Sequence, residues 1–273
     1  MGRDVRAEAD ERAVPGGPPR FDLGGWRDEL GLVAGITGRG GEPGRGFDLG
    51  LWSDAPVGEV MGRWRLFRDS FAGFSGVVLG NQIHGVEVLS VGPSRGWVQV
   101  DGIDGWVTTA PGVLLTVTVA DCVPVYLAVP GAGVALLHAG WRGIAGGILG
   151  RGLERLLAGT GAVPADVVMH CGVGICGQCY EVGSEVMSGC GLRSEGPGPW
   201  HLDLRRTLAE QAAGLGIPRV TRSSRCSAHQ RSTFYSHRAS KGADGRMVAY
   251  LGIPSVRHGP DGTYHVDSHM IQR

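Results

Sequence analysis

The chain has 273 residues, with 26 basic and 26 acidic side chains and a formal net charge of zero. Its length allows one sizeable hydrophobic core, and its zero net charge disfavours a nucleic-acid-binding protein, which would carry a basic excess. The sequence lacks an apolar run of about 20 residues that could cross a membrane, and its first residues lack the apolar stretch of a secretory signal. We therefore expect a cytoplasmic protein that contacts neither nucleic acid nor membrane.

The first 25 residues are charged and rich in proline and glycine. Segments of this composition bury little apolar surface, so residues 1–25 are predicted to be a disordered or loosely attached leader. We recognise no internal repeat and no later linker. Residues 26–273 are therefore predicted to form a single domain, as a monomer or a small homo-oligomer.

Short apolar runs alternate with helical patterns along the rest of the chain. Turn-rich residues 92–112 predict additional antiparallel strands, and β-branched residues predict a strand at 113–120 that continues at 123–129 after a break. The remaining predictions are strands at 133–138, 167–172 and 247–253, and helices at 141–157, 180–190 and 203–214. This alternation favours an α/β fold in which mixed β-sheet layers are flanked by helices.

Residues 136–143, Leu-Leu-His-Ala-Gly-Trp-Arg-Gly, predict a strand that ends near His138 and a helix that begins among glycines. The unpaired N–H groups of a first helical turn attract anions, and Arg142 could bind phosphate or carboxylate through two hydrogen bonds. The residues alone leave another interpretation open. His138 could be a buried histidine at a strand end, with Arg142 on the surface.

Asp121 and Cys122 interrupt the apolar pattern at the break between two strands. A buried carboxylate is costly unless it is hydrogen-bonded or serves a site, and a cysteine thiolate can bind zinc or act as a nucleophile. A core cysteine beside a turn-capping aspartate is the simpler alternative. His84 follows the amide of Gln82, which suits ligand recognition, and precedes Gly85, which permits a close approach.

Six blocks of residues give these patterns a common context, and the chain resembles the laccase-domain family on their basis. Members of that family were first described as multicopper polyphenol oxidases and later associated with purine nucleoside metabolism. The blocks are NQIHG (81–85), ADCVPV (120–125), HAGWRG (138–143), GVGICGQCYEVG (172–183), LDL (202–204), and CSAHQRSTFYSHR with GR (226–238 and 245–246).

The resemblance implies a zinc site formed by His84, Cys122 and His138. Two neutral imidazoles and a thiolate are ligands that zinc prefers, and three protein ligands leave a fourth position for water or substrate. The resemblance also implies phosphorolysis of adenosine, inosine and methylthioadenosine, and deamination of adenosine. A nucleoside and phosphate are therefore the expected small-molecule partners.

Other site residues follow from this hypothesis. We expect Asp121 and Arg142 to be catalytic, with Arg142 near the phosphate, and Gln82, Arg39 and Arg238 to bind substrate. Either of the last two arginines could equally be a plain surface residue. The chain departs from residues that are common in the family at Phe47, Asp48, Val119, Val173 and Asp244. These departures leave its substrate preference open.

Three alternatives compete with this hypothesis. A laccase-type multicopper site uses His-x-His pairs, which the nine histidines lack, although a single site of two imidazoles and a thiolate could still bind Cu²⁺. A cysteine hydrolase would use Cys122 as nucleophile and His138 as base. A non-catalytic protein that binds a metal or a nucleoside is the third.

The Cys-x-x-Cys spacing of Cys176 and Cys179 resembles a redox pair or half of a zinc knuckle. A knuckle needs a second pair of ligands, and Cys171 and Cys190 fit its spacing badly. In a protein from a reducing compartment we therefore expect free cysteines in a loop.

Overall fold

The computed structural model describes residues 7–8, 10–41, 46–51, 55–258 and 264–266, without the side chains of 7–8, 256–258 and 264–266. No helix in these ranges is long and apolar enough to cross a membrane. The strands are β1 (Ala7–Glu8), β2 (Arg12–Ala13), β3 (Arg20–Asp22), β4 (Val33–Thr37), β5 (Gly76–Asn81), β6 (Val88–Ser90), β7 (Gly96–Asp101), β8 (Gly105–Thr108), β9 (Val113–Val119), β10 (Val123–Val129), β11 (Gly133–Ala139), β12 (Val168–Cys171), β13 (Glu181–Val182), β14 (Trp200–His201), β15 (Arg219–Arg222), β16 (Met247–Gly252), β17 (Val256–His258) and β18 (Tyr264–Val266). The helices are α1 (Gly24–Leu30), α2 (Val57–Asp69), α3 (Trp141–Ala145), α4 (Ile148–Thr160), α5 (Ser184–Gly189), α6 (Leu204–Gly214) and α7 (His237–Ser240).

Two seven-stranded sheets dominate the described part of the chain. The first sheet has the order β1-β15-β12-β10-β11-β8-β6, and the second has the order β2-β3-β4-β16-β9-β5-β7. Both sheets are mixed, since β10 is antiparallel to β11 while β12 is parallel to β15, and β9 is antiparallel to β16 but parallel to β5. The predicted α/β fold with mixed sheets flanked by helices is confirmed.

Three apolar clusters show how the layers stack. Leu127 of β10 packs in a cluster shared with α3, α4, α5 and α6, while its neighbour Tyr126 packs in a cluster between the two sheets. On the far side of the second sheet, Leu114 of β9 packs with Trp64 of α2. Because successive side chains of a strand point to opposite faces, a strand buried on both faces reads as a continuous apolar run. This explains why β9 and β10 were recognisable in the sequence.

The relation between these two strands differs from the prediction. Instead of continuing β9 within one sheet, β10 lies in the first sheet, paired with β11 and β12, whereas β9 lies in the second. The chain crosses at Asp121, whose φ of +84° is uncommon for a residue other than glycine. We refer to Ala120, Asp121 and Cys122 as the sheet junction. An apolar pattern cannot distinguish an interrupted strand from two strands in facing sheets, because both faces are buried in either case.

The helix predicted at 141–157 is two helices, α3 and α4, separated by Gly146 and Gly147. Gly147 has a φ of +84°, and a Cβ added to Gly146 would lie 2.7 Å from a methyl carbon of Val86. Glycine therefore permits both the left-handed turn and the close approach that interrupt the helix.

The two later helix predictions have different outcomes. Of residues 180–190, only α5 is helical, because β13 pairs with β14 and the extended Gly183 precedes the first helical turn. The helix predicted at 203–214 is confirmed as α6. Its N-cap is Asp203, whose carboxylate accepts hydrogen bonds from the backbone N–H groups of Arg205 and Arg206.

Part of the predicted leader belongs to the folded structure. β1 pairs with β15 in the first sheet, and β3 pairs with β4 in the second. Glu11 is fully buried, and its carboxylate accepts a hydrogen bond of 2.7 Å from Ser223 and lies 3.4 Å from His170 Nε2. This differs from the expectation of a loosely attached segment. Composition did not reveal this because the leader residues gain their backbone hydrogen bonds from strands elsewhere in the chain.

Candidate metal centre and its cavity

His84, Cys122 and His138 meet where the two sheets adjoin. His84 lies in the loop after β5, Cys122 in the sheet junction, and His138 near the end of β11. Two imidazole nitrogens and one sulfur from these residues all lie within 4.8 Å of one another. The two imidazole rings have centroids 4.9 Å apart. Antiparallel pairing of β10 with β11 brings the residue before β10 next to the end of β11, which accounts for the convergence.

Gly140 makes this close arrangement sterically possible. A Cβ added there would lie 3.0 Å from Cys122 Sγ and 3.1 Å from His84 Cδ2. Both distances are shorter than the roughly 3.5–4.0 Å of favourable carbon contacts. A larger residue at this position would therefore require the thiol and the imidazole to move by a few tenths of an ångström.

Asp104 organises the site although sequence reasoning did not identify it. Its fully buried carboxylate accepts hydrogen bonds from the backbone N–H groups of Ile83, His84 and Gly85 at 3.2, 3.0 and 2.8 Å. It also lies 2.8 Å from His138 Nδ1. A single side chain thus orients one imidazole and the loop that carries the other. The only signal in the sequence was an acidic residue directly before the apolar strand β8.

Backbone conformation also marks the site. Among the described residues, the non-glycine positions with positive φ are His84 at +59°, Asp121 at +84° and Lys241 at +54°. The first two lie at the metal centre or beside it. Such conformations persist only where surrounding contacts hold them, and they cluster at functional sites.

The electrostatics of the centre favour a cysteine thiolate. Burial raises the pKa of Cys122, but the His138 and His84 imidazoles outweigh burial and lower that pKa to about 6. Burial lowers the pKa of His138, while Cys122 and the Asp104 carboxylate outweigh burial and raise it to about 9. The thiolate is the form that both metal binding and nucleophilic attack require.

A cavity of about 850 Å³ opens over the three side chains. This volume lies within the range of about 300–1,000 Å³ that is typical of small-molecule sites. The predicted residues Gln82, Asp121, Arg142 and Arg238 line it, whereas Arg39 is not among its lining residues. Lining residues that sequence reasoning did not assign to the site include Trp141, Tyr180, His237 and Arg246.

Two of the polar residues at the cavity are held by backbone groups. The Gln82 amide oxygen accepts from the Thr118 N–H at 2.7 Å, and its nitrogen donates to the Thr118 carbonyl at 2.9 Å. Asp121 accepts from the Ser227 hydroxyl and from the Arg238 N–H, both at 2.6 Å. The Asp121 carboxylate therefore attaches the 226–238 segment to the sheet junction.

The two cavity arginines of the prediction stack on aromatic rings. The exposed guanidinium of Arg142 lies 4.5 Å from the ring centroid of Trp141. That of Arg238 lies 4.9 Å from the ring centroid of Tyr180 and donates to the Glu181 carbonyl at 2.7 Å. Stacking fixes the plane of a guanidinium while its N–H groups remain available at the edge.

Arg39 lies behind the cavity wall. Its guanidinium forms an ion pair with Asp244 and lies 4.3 Å from the ring centroid of Tyr235. Because Asp244 lines the cavity, Arg39 can act on the site through that carboxylate. Arg246, by contrast, lines the cavity and donates to the carbonyls of Asp244 and Gly245 at 2.8 and 3.1 Å. Its Gly-Arg block was noted in the sequence without a role.

A family model described as multi-copper polyphenol oxidoreductase laccase matches residues 34–254, most of the chain. The chain belongs to this family. The resemblance inferred from the six sequence blocks is thereby confirmed.

Relatives of this laccase-family chain cover most of its length. A Geobacillus stearothermophilus protein named purine nucleoside phosphorylase YlmD is 34% identical over 247 residues, which are 81% of this chain and 90% of the relative. The crystal structure of YlmD from Geobacillus stearothermophilus matches with a TM-score of 0.79 and 30% identity, covering 89% of this chain and 98% of that one. A protein named adenosine deaminase RL5, from an unknown prokaryotic organism, is 33% identical over 152 residues, 51% of this chain and 58% of its own.

The residues of this laccase-family site fit a single metal ion. Two imidazoles and a thiolate form a suitable donor set, and Asp104 engages Nδ1 of His138, which leaves Nε2 as the ligand atom. A carboxylate behind a ligating histidine is a common orienting partner in metal sites. Gly140 keeps the space between the ligands open.

Proposed function

We propose that the chain is a zinc-dependent purine nucleoside enzyme. Its reactions would be the phosphorolysis of adenosine, inosine and methylthioadenosine, and the deamination of adenosine. The observation that carries the proposal is the convergence of His84, Cys122 and His138 on a cavity of about 850 Å³ that arginines also line. The names of the relatives, a purine nucleoside phosphorylase and an adenosine deaminase, support chemistry on a purine nucleoside.

His84, Cys122 and His138, which line the cavity, would hold the zinc ion. Zinc bound there supplies Lewis-acid chemistry to an oxygen nucleophile or a leaving group. Asp104 keeps the His138 ring and the His84 loop in place through hydrogen bonds that its fully buried oxygens accept. A rigid site of this kind needs little reorganisation during a reaction.

Phosphorolysis requires a group that binds the attacking anion. A phosphate oxygen bonds to C1′ of the ribose as the C1′–N9 bond breaks, and the purine leaves with the electron pair and takes up a proton. We assign the phosphate to Arg142, whose exposed guanidinium is stacked on Trp141 beside the metal ligands. The helix α3 that follows Gly140 has only five residues, so its dipole adds little and the side chain carries the binding.

The remaining predicted residues take the nucleoside. Gln82 and Arg238 would contact the substrate on the cavity wall, and Arg39 would act through Asp244. In deamination water adds to C6 of the purine and ammonia leaves, so a proton must move. We assign that proton transfer to Asp121, which lines the cavity and also supports the 226–238 segment through Ser227.

A second function is favoured by one observation. Cys122, His138 and Asp104 form a connected row in which the thiol is close to an imidazole whose other nitrogen is held by a carboxylate. This is the arrangement of a cysteine hydrolase, with Cys122 as nucleophile and His138 as base.

Copper-dependent polyphenol oxidation is the alternative that the family description suggests, and a site of two imidazoles and a thiolate can bind Cu²⁺.

Metal analysis combined with activity separates these functions. Wild type, Cys122→Ala and Cys190→Ala are purified without added metal, their zinc and copper are counted by mass spectrometry, and adenosine and inosine are supplied with and without phosphate. Cys190 is a matched control, because it is a buried cysteine that is not one of the residues that could hold a metal ion. We expect Cys122→Ala to lose about one zinc ion per chain together with nucleoside turnover, and Cys190→Ala to keep both.

Four results would contradict the proposal. Zinc bound as in wild type by Cys122→Ala would remove the site, and wild-type protein without nucleoside turnover would remove the activity. Labelling of Cys122 by iodoacetamide in the protein as purified would favour the cysteine hydrolase, since a zinc-bound thiolate reacts only after chelation. Copper in place of zinc, with oxidase activity lost in Cys122→Ala, would favour the oxidase.

A further inference from the structure

A second group of metal-competent side chains lies away from His84, Cys122 and His138. Cys176 and Cys179 stand in the loop between β12 and β13, and Cys226 and His229 stand in the loop after β15. Three sulfurs and one imidazole nitrogen from these residues all lie within 4.8 Å of one another. The partners that the sequence lacked for a zinc knuckle are thus Cys226 and His229, not Cys171 or Cys190.

Each pair of side chains is presented by a tight turn. The carbonyl of Cys176 accepts from the N–H groups of Cys179 and Tyr180 at 3.0 and 3.1 Å, so the first pair lies on a single turn. The carbonyl of Cys226 accepts from the Gln230 N–H at 3.0 Å, which places Cys226 and His229 on a second turn. Ligands separated by two intervening residues on such turns are typical of structural zinc sites.

The two turns are also attached to each other. The Cys176 N–H donates to Cys226 Sγ at 3.3 Å, and Gly174 and Cys226 form an isolated β-bridge. An N–H group that points at a cysteine sulfur stabilises negative charge on that sulfur. These backbone contacts therefore hold the four side chains close together without a bound metal ion.

The four ligand atoms lie close enough to share one ion, and a small movement of His229 would bring them to tetrahedral spacing. With bonds of about 2.3 Å to sulfur and 2.0–2.1 Å to nitrogen, ligand atoms of a tetrahedral zinc site lie about 3.5–3.8 Å apart. Cys179 Sγ lies 3.1 Å from Nε2 of His229, and Cys176 Sγ lies 3.8 Å from its Nδ1. The exposed His229 ring can turn slightly to present one nitrogen to the ion.

We propose that Cys176, Cys179, Cys226 and His229 form a second, structural zinc site. Three thiolates and one imidazole are a soft donor set that selects zinc over magnesium or calcium. Four protein ligands close the coordination sphere, so this site would stabilise the fold and would not itself bind substrate.

The location of the site gives it a role at the cavity. Ile175 and Tyr180 flank the first pair and line the cavity, and the second pair begins the segment that carries Arg238. Next to Cys226, the hydroxyl of Ser227 donates to Asp121 of the sheet junction. A zinc ion here would link the two loops and fix the relative position of the two walls of the cavity that they form.

The test counts zinc in wild type, Cys179→Ser, His229→Asn, Cys122→Ala and the control Cys190→Ser. We expect about one zinc ion fewer per chain in Cys179→Ser and His229→Asn, and no loss in the control. The zinc ion that Cys122→Ala loses is a separate ion. The result for the second site can therefore be interpreted even if the nucleoside proposal fails. His229 is exposed, and its substitution gives a folded variant even where a cysteine substitution does not.

Thermal unfolding supplies a readout besides metal content. The Tm of wild type is expected to fall by several degrees on chelation, and Cys122→Ala should still show a fall of its own, because it keeps the structural ion. Cys179→Ser should have a lower Tm from the start and lose less on chelation, because its structural ion is already missing. Wild-type zinc content in both Cys179→Ser and His229→Asn would overturn the proposal. A Cys176–Cys179 disulfide in the protein as purified, seen as a mass decrease without reductant, would also overturn it.

Discussion

Replacement of Asp104 by asparagine keeps the shape of the side chain and removes its charge. Each carboxylate oxygen accepts two hydrogen bonds, one pair from Ile83 and Gly85 and the other from His84 and His138. An amide retains one such oxygen and points an NH₂ group at the other two partners. Every donor left without an acceptor in a buried site costs about 1–3 kcal/mol.

The same substitution acts on the metal site. With the NH₂ group towards His138, Nδ1 must accept a hydrogen bond, so Nε2 carries the proton and cannot bind a metal. With the NH₂ group towards the 83–85 loop, the loop that carries His84 loses two of its bonds. Loss of an orienting carboxylate lowers metal affinity about 10- to 100-fold, or about 1.4–2.7 kcal/mol at 1.36 kcal/mol per tenfold change.

Two measurements check this prediction. The first is the zinc affinity of the site that contains Cys122, measured by competition with a chelator. The second is the free energy of unfolding of the metal-free proteins, measured in urea. The control is Asp101→Asn, an exposed aspartate that accepts from Asn81 at 3.2 Å. A folded Asp104→Asn protein that binds zinc within about threefold of wild type would refute the orienting role.

Two further substitutions test other parts of the structure. Gly140→Ala should weaken zinc binding, measured by competition with a chelator as for Asp104→Asn. Its Cβ would lie 3.0 Å from Cys122 Sγ and 3.1 Å from His84 Cδ2, so these side chains must move by a few tenths of an ångström. The control Gly150→Ala, with open space around its Cβ in α4, should keep zinc and raise the free energy of unfolding by up to about 1 kcal/mol. Glu11→Ala should lower the urea-unfolding free energy by about 1–3 kcal/mol, because Ser223 and His170 lose a buried partner. The exposed Glu29→Ala should change it little, and equal stabilities of the two variants would restore the view of residues 1–25 as a loose leader.

The three proposed metal ligands could be selected from the sequence because each lies in a short block with a recognisable local pattern. His138 ends an apolar strand just before glycines, and Cys122 follows an acidic residue that interrupts an apolar pattern. The resemblance then joined three separate blocks into one site. Asp104 was not predictable in this way, because its importance comes from contacts across the fold with a loop and a strand that are distant in sequence.

The layered fold was predictable only in part, for a related reason. Apolar runs located the strands that are buried on both faces, but they carry no information about which sheet each strand joins. The same limit hid the fourfold cluster of Cys176, Cys179, Cys226 and His229. One half of that cluster has a recognisable spacing, and the other half is brought to it by the parallel neighbours β12 and β15.

The sheet junction has a consequence for how the protein matures. His84 follows a strand of the second sheet, His138 belongs to the first, and Cys122 sits on the crossing between them. We therefore expect the three side chains to meet only after both sheets have formed and docked, because their convergence depends on contacts between distant parts of the chain. A metal ion bound by these three side chains would link the two sheets. Its release would therefore lower the stability of the whole fold, in addition to removing the ion from the cavity.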